Sequence, residues 1–394
     1  MKKILIVEDD AVITRIYERQ FVGAGYEVEL AADGEQAMEK LKRLTPDLVM
    51  LDLQMPKVNG VEVLKFIRAQ PATKDVPVVV FTNSYLGNLV QQAWAAGANK
   101  CLTKAICTPK QLIEVVRSTI AAAEKSPVPV PAEGKAPPTQ KEEEDAAKFQ
   151  KEVSATFIAS GSHVVSMLRA RLQALIKVEA DTTAINYQHD RLRILSEMFE
   201  VTHGLAGKSG LAGATRIGTM AGATEALLRE LHDKPKNINP STLRTVANSI
   251  DFIAQLFGAG TQETPLALDK ATVLVVDDEP ISRRAVMAGV EKAGLNATGI
   301  EDPLEALATL EKQRFDIIFL DVQMPNMTGH ELCVKLRATA TNAKTPVVFV
   351  TALTDFNNRA KSTLSGGNDL IGKPFLLMEL SLKALTYLLK GQLK

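Results

Sequence analysis

The sequence predicts an α/β plus all-α fold: two doubly wound (βα)5 domains with a four-helix bundle between them. Three observations carry this reading. Residues near the start and near the end repeat one another. Each repeat alternates short apolar β-type runs with amphipathic helical stretches. The segment between the repeats has helical periodicity and no strand signal.

The repeat is explicit. "KKILIVEDD" matches "ATVLVVDDE", "PDLVMLDLQMPKVNG" matches "FDIIFLDVQMPNMTG", and "VPVVVFTN" matches "TPVVFVTA". One offset of 269 residues relates Glu8 to Asp277, Asp52 to Asp321, Thr82 to Thr351 and Lys104 to Lys373. Chance similarity of apolar strands does not hold a single register through five elements. In the first copy the β-type runs are Ile4–Val7, Glu27–Ala31, Leu48–Leu51, Val78–Phe81 and Lys100–Leu102. Helical patterns such as "AVITRIYERQFVGAG" and "GEQAMEKLKRL" fall between them. Continuous apolar runs such as "LVML" predict strands covered on both faces, hence a parallel core. In such sheets ligands bind beyond the carboxyl ends of the strands.

Between the copies, "EKSPVPVPAEGKAPPTQKEEED" is rich in Pro, Lys and Glu, a composition that cannot bury enough surface to offset its ordering entropy. A second break, "GAGTQETPLALDKA", precedes the second copy. The expected organisation is therefore an α/β domain at 1–122, a linker at 123–144, a helical bundle at 145–258, a linker at 259–270 and an α/β domain at 271–394. Helices are predicted at about 143–177, 187–211, 214–233 and 240–257. Asn239-Pro240 supplies a cap and a first-turn proline for the last of them. Short connections favour an antiparallel bundle.

Composition excludes several classes. Lys plus Arg and Asp plus Glu both count 46, so the net charge is zero and no overall field attracts nucleic acid or an acidic membrane. Cys101, Cys107 and Cys333 form no C-x-x-C pair, against a disulfide framework or zinc site and in favour of a reducing cytoplasm. The opening apolar run is too short for a signal peptide, and no uncharged run reaches a membrane span. A soluble, cytoplasmic protein is expected, with no nucleic-acid binding and no membrane insertion.

The chemistry sits at the strand ends. Acids follow strand one (Glu8 and Asp9; Asp277 and Asp278), one Asp follows strand three (Asp52; Asp321), a hydroxyl follows strand four (Thr82; Thr351), and a lysine follows strand five (Lys104; Lys373). Clustered carboxylates repel unless a cation sits among them, and hard oxygen ligands favour Mg²⁺. The lysine and hydroxyl can hold phosphoryl oxygens. The lone Asp is then a nucleophile able to become an aspartyl phosphate. Any one such acid could be a helix cap, but the full set, twice at one offset, calls for a common chemistry.

These residues resemble the response-regulator receiver domain. The resemblance rests on "VEDD" and "VVDDE", "LDLQMP" and "LDVQMP", Gly60 and Gly329, Thr82 and Thr351, and Lys104 and Lys373. It implies Asp52 and Asp321 as phosphoacceptors, with Thr82, Lys104, Thr351 and Lys373 in support. It implies one Mg²⁺ per domain: on Glu8, Asp9, Asp52 and the carbonyl of Gln54, and on Asp277, Asp278, Asp321 and the carbonyl of Gln323. Departures concentrate in the first copy. Lys-Pro is kept at Lys373-Pro374, often a cis bond in the family, but is Lys104-Ala105 in the first. This predicts a different placement of Lys104. Asn83 is larger than the small residue usual after the strand-four hydroxyl and is expected to narrow access to Asp52. Cys101 and Leu370 stand where an aromatic switch is common.

In the middle block, "VTHGLAGKSGLAGA" contains a Gly-Lys-Ser that looks like a phosphate-binding loop. Such a loop needs a glycine at position 202, which is Thr202, and a preceding strand, which the helical periodicity denies. The helical alternative puts Ile194, Met198, Val201 and Leu205 on one side and His203 at the solvent edge. Gly207, one turn on, leaves an open surface beside the imidazole. His203, Gly207 and Gly213 resemble the signature of the histidine phosphotransfer (HPt) domain, which implies His203 as a phosphocarrier. The family's basic residue three places after the histidine is here Ala206.

The expected function is a Mg²⁺-dependent two-component phosphorelay between Asp52, His203 and Asp321. The chain carries no kinase or DNA-binding domain in this reading and is a phosphotransfer protein rather than an enzyme. Expected partners are a sensor histidine kinase and other HPt or receiver proteins, with docking of a receiver on the bundle in the same chain. The competing reading is a phosphorylation-switched scaffold or phosphate sink whose bundle only docks partners. Asn83, Ala105 and Ala206 favour it.

Overall fold

The computed structural model describes every residue except 56, 84–86, 106, 125–139, 184, 261–267, 353–360 and 394. The first sheet comprises β1 (Lys3–Val7), β2 (Glu27–Ala31), β3 (Leu48–Leu51), β4 (Val78–Thr82) and β5 (Lys100–Thr103), in the order β2-β1-β3-β4-β5. All its pairings are parallel. Its helices are α1 (Ala11–Gly23), α2 (Gly34–Leu41), α3 (Gly60–Ala69), α4 (Gly87–Ala95) and α5 (Pro109–Glu124). The central strands are apolar on both sides because both faces are covered. Ile4, Ile6, Met50 and Phe81 pack with Tyr17, Phe21, Leu112 and Val116 on one face. Leu5, Val7, Val49 and Val80 pack with Leu41, Leu64 and Ile67 on the other. Asp10, Asp33 and Asn59 accept the first free amides of α1, α2 and α3, which fixes where each helix starts.

The middle region contains α6 (Gln140–Ala180), α7 (Tyr187–Leu211), α8 (Thr215–Asp233) and α9 (Pro240–Ala259). Helix α6 starts inside the stretch expected to be linker. Residues 123–124 of that linker end α5, and its residues 125–139 and residues 261–267 of the second lie outside the described residues. The second sheet comprises β6 (Thr272–Val276), β7 (Asn296–Ile300), β8 (Ile317–Leu320), β9 (Val347–Thr351) and β10 (Asp369–Gly372). Its order, β10-β9-β8-β6-β7, is that of the first sheet, and its pairings are again parallel. Its described helices include α10 (Pro280–Lys292), α11 (Pro303–Lys312), α12 (Gly329–Arg337) and α13 (Leu377–Gly391). Among the described residues, no helix is long and apolar enough to cross a membrane.

The chain divides into two compact units. One comprises Met1–Gly161, His203–Gly222 and Ala259–Glu263; the other comprises Ser162–Thr202, Ala223–Gly258 and Thr264–Lys394. In the first unit, Leu211 is buried within the hydrophobic cluster formed by α1, α5 and the first sheet, and Val153 packs against it. In the second, Glu379 of α13 accepts hydrogen bonds from Ser241 Oγ (2.6 Å) and Thr245 Oγ1 (3.0 Å) of α9.

Candidate functional site

Each sheet delivers its polar residues to one edge, at the carboxyl ends of the strands. Backbone spacing does this: the apolar run fills the strand, and the first polar residues emerge where pairing stops. In the first sheet, Glu8, Asp9 and Asp52 each bring a carboxylate oxygen within 4.8 Å of the others. Asp277, Asp278 and Asp321 do the same in the second. Three acids converging this closely form a donor set of hard oxygens suited to a divalent cation.

A lysine enters each cluster. Lys104 Nζ forms ion pairs with Glu8 (2.7 Å) and with Asp52. Lys373 Nζ pairs with Asp277 (2.9 Å) and Asp321 (3.3 Å). The expected displacement of Lys104 is therefore not seen: both lysines reach the equivalent carboxylates. Both are held by the same backbone bond, from Lys104 N to Thr82 O (2.9 Å) and from Lys373 N to Thr351 O (2.8 Å). That bond continues the strand pairing one step past β5 and β10, independent of whether alanine or proline follows. Lys373-Pro374 is cis. Thr82 and Thr351 are buried beside these contacts. Gln54 and Gln323 follow Asp52 and Asp321 by two residues, and the Gln54 amide donates to Asp52 Oδ1 (3.1 Å).

Gly60 and Gly329 have a steric reason. A Cβ on Gly60 would lie 2.0 Å from the Asp52 carbonyl oxygen, and one on Gly329 would lie 1.9 Å from that of Asp321. Only glycine lets α3 and α12 start against the backbone of the central aspartate.

The electrostatics differ between the copies. Burial pushes the Glu8 carboxyl up to about 7 against the pull of Lys104. Burial lowers the Lys104 ammonium, but Asp52 and Glu8 outweigh it and hold the group above its usual range. Burial also raises Asp321, opposed by Lys373. Side-chain exposure is 1% for Lys104 and 0% for Asp52, but 20% for Lys373 and 8% for Asp321. Lys104 is thus more deeply buried than Lys373, although Asp9 at the rim of the first cluster is exposed and Asp277 and Asp321 are both buried.

Residues that cover this edge of the first sheet lie in the same compact unit. His203 is half-buried, and its carbonyl accepts a hydrogen bond from Asn83 Nδ2 (3.2 Å). Asp9 is raised first by burial and then by Asp52, while Lys104 and His203 act in the opposite direction, so His203 lies within electrostatic reach of the acid cluster. Gly207, expected to face open space, is buried. A Cβ there would lie 2.9 Å from Ile13 Cδ1 and 3.2 Å from Asn83 Nδ2. The surface that helical periodicity left open is covered by the first α/β domain, which single-helix periodicity cannot anticipate. Sequence reasoning took Asn83 only as an obstruction and missed its bond to His203, 120 residues away.

Comparison with known proteins finds one family over both sheets. The profile of the response regulator receiver domain matches residues 4–117 and 273–384. TcrX of Mycobacterium tuberculosis, a probable transcriptional regulatory protein, is 38% identical over 112 residues, covering 28% of this chain and 47% of that protein. RpaA of Synechocystis sp., a DNA-binding dual master transcriptional regulator, is 37% identical over 117 residues, 29% of this chain and 48% of RpaA. The chain spans about half the length of the curated relatives it matches. Among solved structures, a putative response regulator from Chloroflexus aurantiacus is 32% identical, covering 30% of this chain and 98% of its own, with a TM-score of 0.29. The receiver domain of the sensor histidine kinase PA1611 from Pseudomonas aeruginosa, solved with magnesium in its active-site cleft, is 26% identical. That match covers 30% of this chain and 97% of the other, with a TM-score of 0.29.

Proposed function

Because the chain belongs to the response regulator receiver family, with a receiver towards each end, we propose that it is a phosphorelay protein passing phosphoryl groups between Asp52, Asp321 and His203. Receiver domains belong to two-component signalling by phosphoryl transfer, interact with histidine kinases and other signalling proteins, and generally bind Mg²⁺ at an acidic site. The helical region between them is read here as an HPt-like bundle without kinase activity of its own. The observation that supports the reading is the hydrogen bond from Asn83 to the His203 carbonyl, with His203 in electrostatic reach of Asp9.

The residues fit the metal the family uses. One Mg²⁺ per receiver would be held by Glu8, Asp9, Asp52 and the Gln54 carbonyl, and by Asp277, Asp278, Asp321 and the Gln323 carbonyl. The ion supplies charge neutralisation for the phosphoryl oxygens. Asp52 or Asp321 supplies the attacking carboxylate oxygen. As its bond to phosphorus forms, the phosphorus–nitrogen bond of a phosphohistidine breaks. The imidazole leaves neutral, its second ring nitrogen keeping its proton throughout. The reverse step returns the group to the ring nitrogen and regenerates the carboxylate. Lys104 or Lys373, with Thr82 or Thr351, holds the transferring oxygens.

The test is direct. The full chain, incubated with acetyl phosphate and Mg²⁺, should acquire acid-labile, base-stable phosphate. His203→Gln should abolish that fraction and leave the base-labile acyl phosphate. An acyl phosphate with no phosphohistidine in the wild-type chain would remove His203 from the relay and favour the scaffold reading.

A further inference from the structure

The phosphoacceptor face of the first receiver is packed against residues 203–218 of its own chain, and the fit is built from backbone. A Cβ on Gly210 would lie 2.0 Å from the Lys104 carbonyl oxygen and 3.2 Å from that of Cys107. One on Gly218 would lie 2.1 Å from Ser209 Oγ of its own segment, 2.6 Å from the Ala105 carbonyl oxygen and 3.0 Å from the Ala105 Cβ. Gly207 meets the side-chain ends of Ile13 and Asn83, and Leu211 is buried in the receiver's own hydrophobic cluster. Three departures from the family pattern, at Asn83, Ala105 and Ala206, fall on this contact or are buried beside it. Asn83 is 1% exposed and donates to the His203 carbonyl. Ala105 and Ala206 are both 0% exposed, so the usual proline at the one and basic residue at the other have no space and no solvent.

We propose that residues 203–218 are the dedicated partner of the first receiver, with Asn83, Ala105, Gly207, Gly210 and Gly218 as its specificity residues, and that this docking closes Asp52 to external phosphodonors. Asp52 then exchanges phosphate with His203 of its own chain, while Asp321, whose lysine is one-fifth exposed, meets outside donors. A tethered partner acts at high effective concentration, so a free receiver-binding protein must outcompete a contact that is always present. Labelling of Asp52 from outside is reduced in proportion to the fraction of molecules transiently undocked.

The proposal rests on the phosphorelay reading for its purpose, but its test does not. The full-length chain carrying His203→Gln is exposed to acetyl phosphate and Mg²⁺, so that Asp52 can be labelled only directly. Acyl phosphate at Asp52 and at Asp321 is then quantified by mass spectrometry after borohydride trapping. Asp321 should be labelled at least about tenfold faster than Asp52, equivalent to about 1.4 kcal/mol of docking. Adding Gly210→Ala should close that gap with Asp321 unchanged, since alanine favours helix over glycine and the obstruction falls on the Lys104 and Cys107 carbonyls of the first receiver. Gly207→Ala, which meets flexible side-chain ends, should close it partly. Gly204→Ala has nothing within 4 Å and should leave it as it was. Equal labelling of the two aspartates before any glycine is changed would overturn the proposal. So would a gap that persists in both Gly210→Ala and Gly207→Ala while Asp321 is labelled normally. Loss of phosphohistidine in the wild-type chain alongside release of Asp52 by Gly210→Ala would sink the relay and leave the docking standing.

Discussion

Lys104 and Lys373 occupy equivalent positions but carry different energetic weight. Lys104 is sealed with two carboxylates, so removing its charge leaves Glu8 and Asp52 facing each other out of reach of water. Breaking a buried pair from one side costs about 3–5 kcal/mol, because the remaining charge is uncompensated. Lys373 is one-fifth exposed, and solvent shares in stabilising its partners. Lys104→Met is therefore expected to destabilise the first sheet by about 3 kcal/mol. Lys373→Met is expected to cost the second about 1 kcal/mol. Hydrogen exchange of the strand amides, read separately for each sheet, distinguishes them; equal losses would contradict the difference in burial. The sequence placed both lysines at strand ends. It could not reveal this asymmetry, because burial of Lys104 depends on a helical segment 100 residues further on.

At the scale of elements, an arginine ties α3 to the loop before β5, and its counterpart does the same for α12 and β10. Arg68 donates to the carbonyls of Gly97 (2.7 Å) and Val76 (2.8 Å) and to Asn99 Oδ1 (3.0 Å). Arg337 donates to those of Gly366 (2.6 Å) and Thr345 (2.8 Å) and to Asn368 Oδ1 (3.2 Å). Each guanidinium satisfies carbonyls that the loop leaves outside any ladder. Hydrogen bonds to a charged donor contribute about 1.5–3 kcal/mol. Arg68→Ala and Arg337→Ala should each destabilise their sheet by about 2 kcal/mol, measured by urea unfolding, with faster amide exchange at Asn99 and Asn368. The strands themselves were legible because a continuous apolar run is a local signal, and the 269-residue offset confirmed it twice. The clamps were not, since an arginine on a helix surface gives no local sign of a carbonyl 29 residues ahead. Asn83 fails to announce itself for the same reason: its partner is set by tertiary packing.

At the scale of the whole molecule, each receiver takes hold of part of the helical region by a different face. The first uses its strand-end acid site against residues 203–218; the second uses α13 against α9. The middle helices were legible as helices from periodicity, but which face met which receiver was not. In the second unit the joint is a buried carboxyl, Glu379, 1% exposed, with Ser241 and Thr245 donating to it. Burial raises its pKa above the ordinary 4.5, opposed by the two hydroxyls and Lys383, with Asp369 adding to the rise. Between the ordinary value and the raised one, the folded protein holds a proton that the unfolded chain has released. Stability contributed by this group therefore falls as pH rises through that window, and the penalty is complete above the folded pKa. Glu379→Gln keeps an acceptor for Ser241 and Thr245 without the charge. It should remove that part of the pH dependence and make α9 and α13 more resistant to exchange than wild type at pH 8. A wild-type joint that instead strengthens with rising pH, and is weakened by glutamine at pH 8, would mean that Lys383 and the hydroxyls hold Glu379 ionised against the cost of its burial.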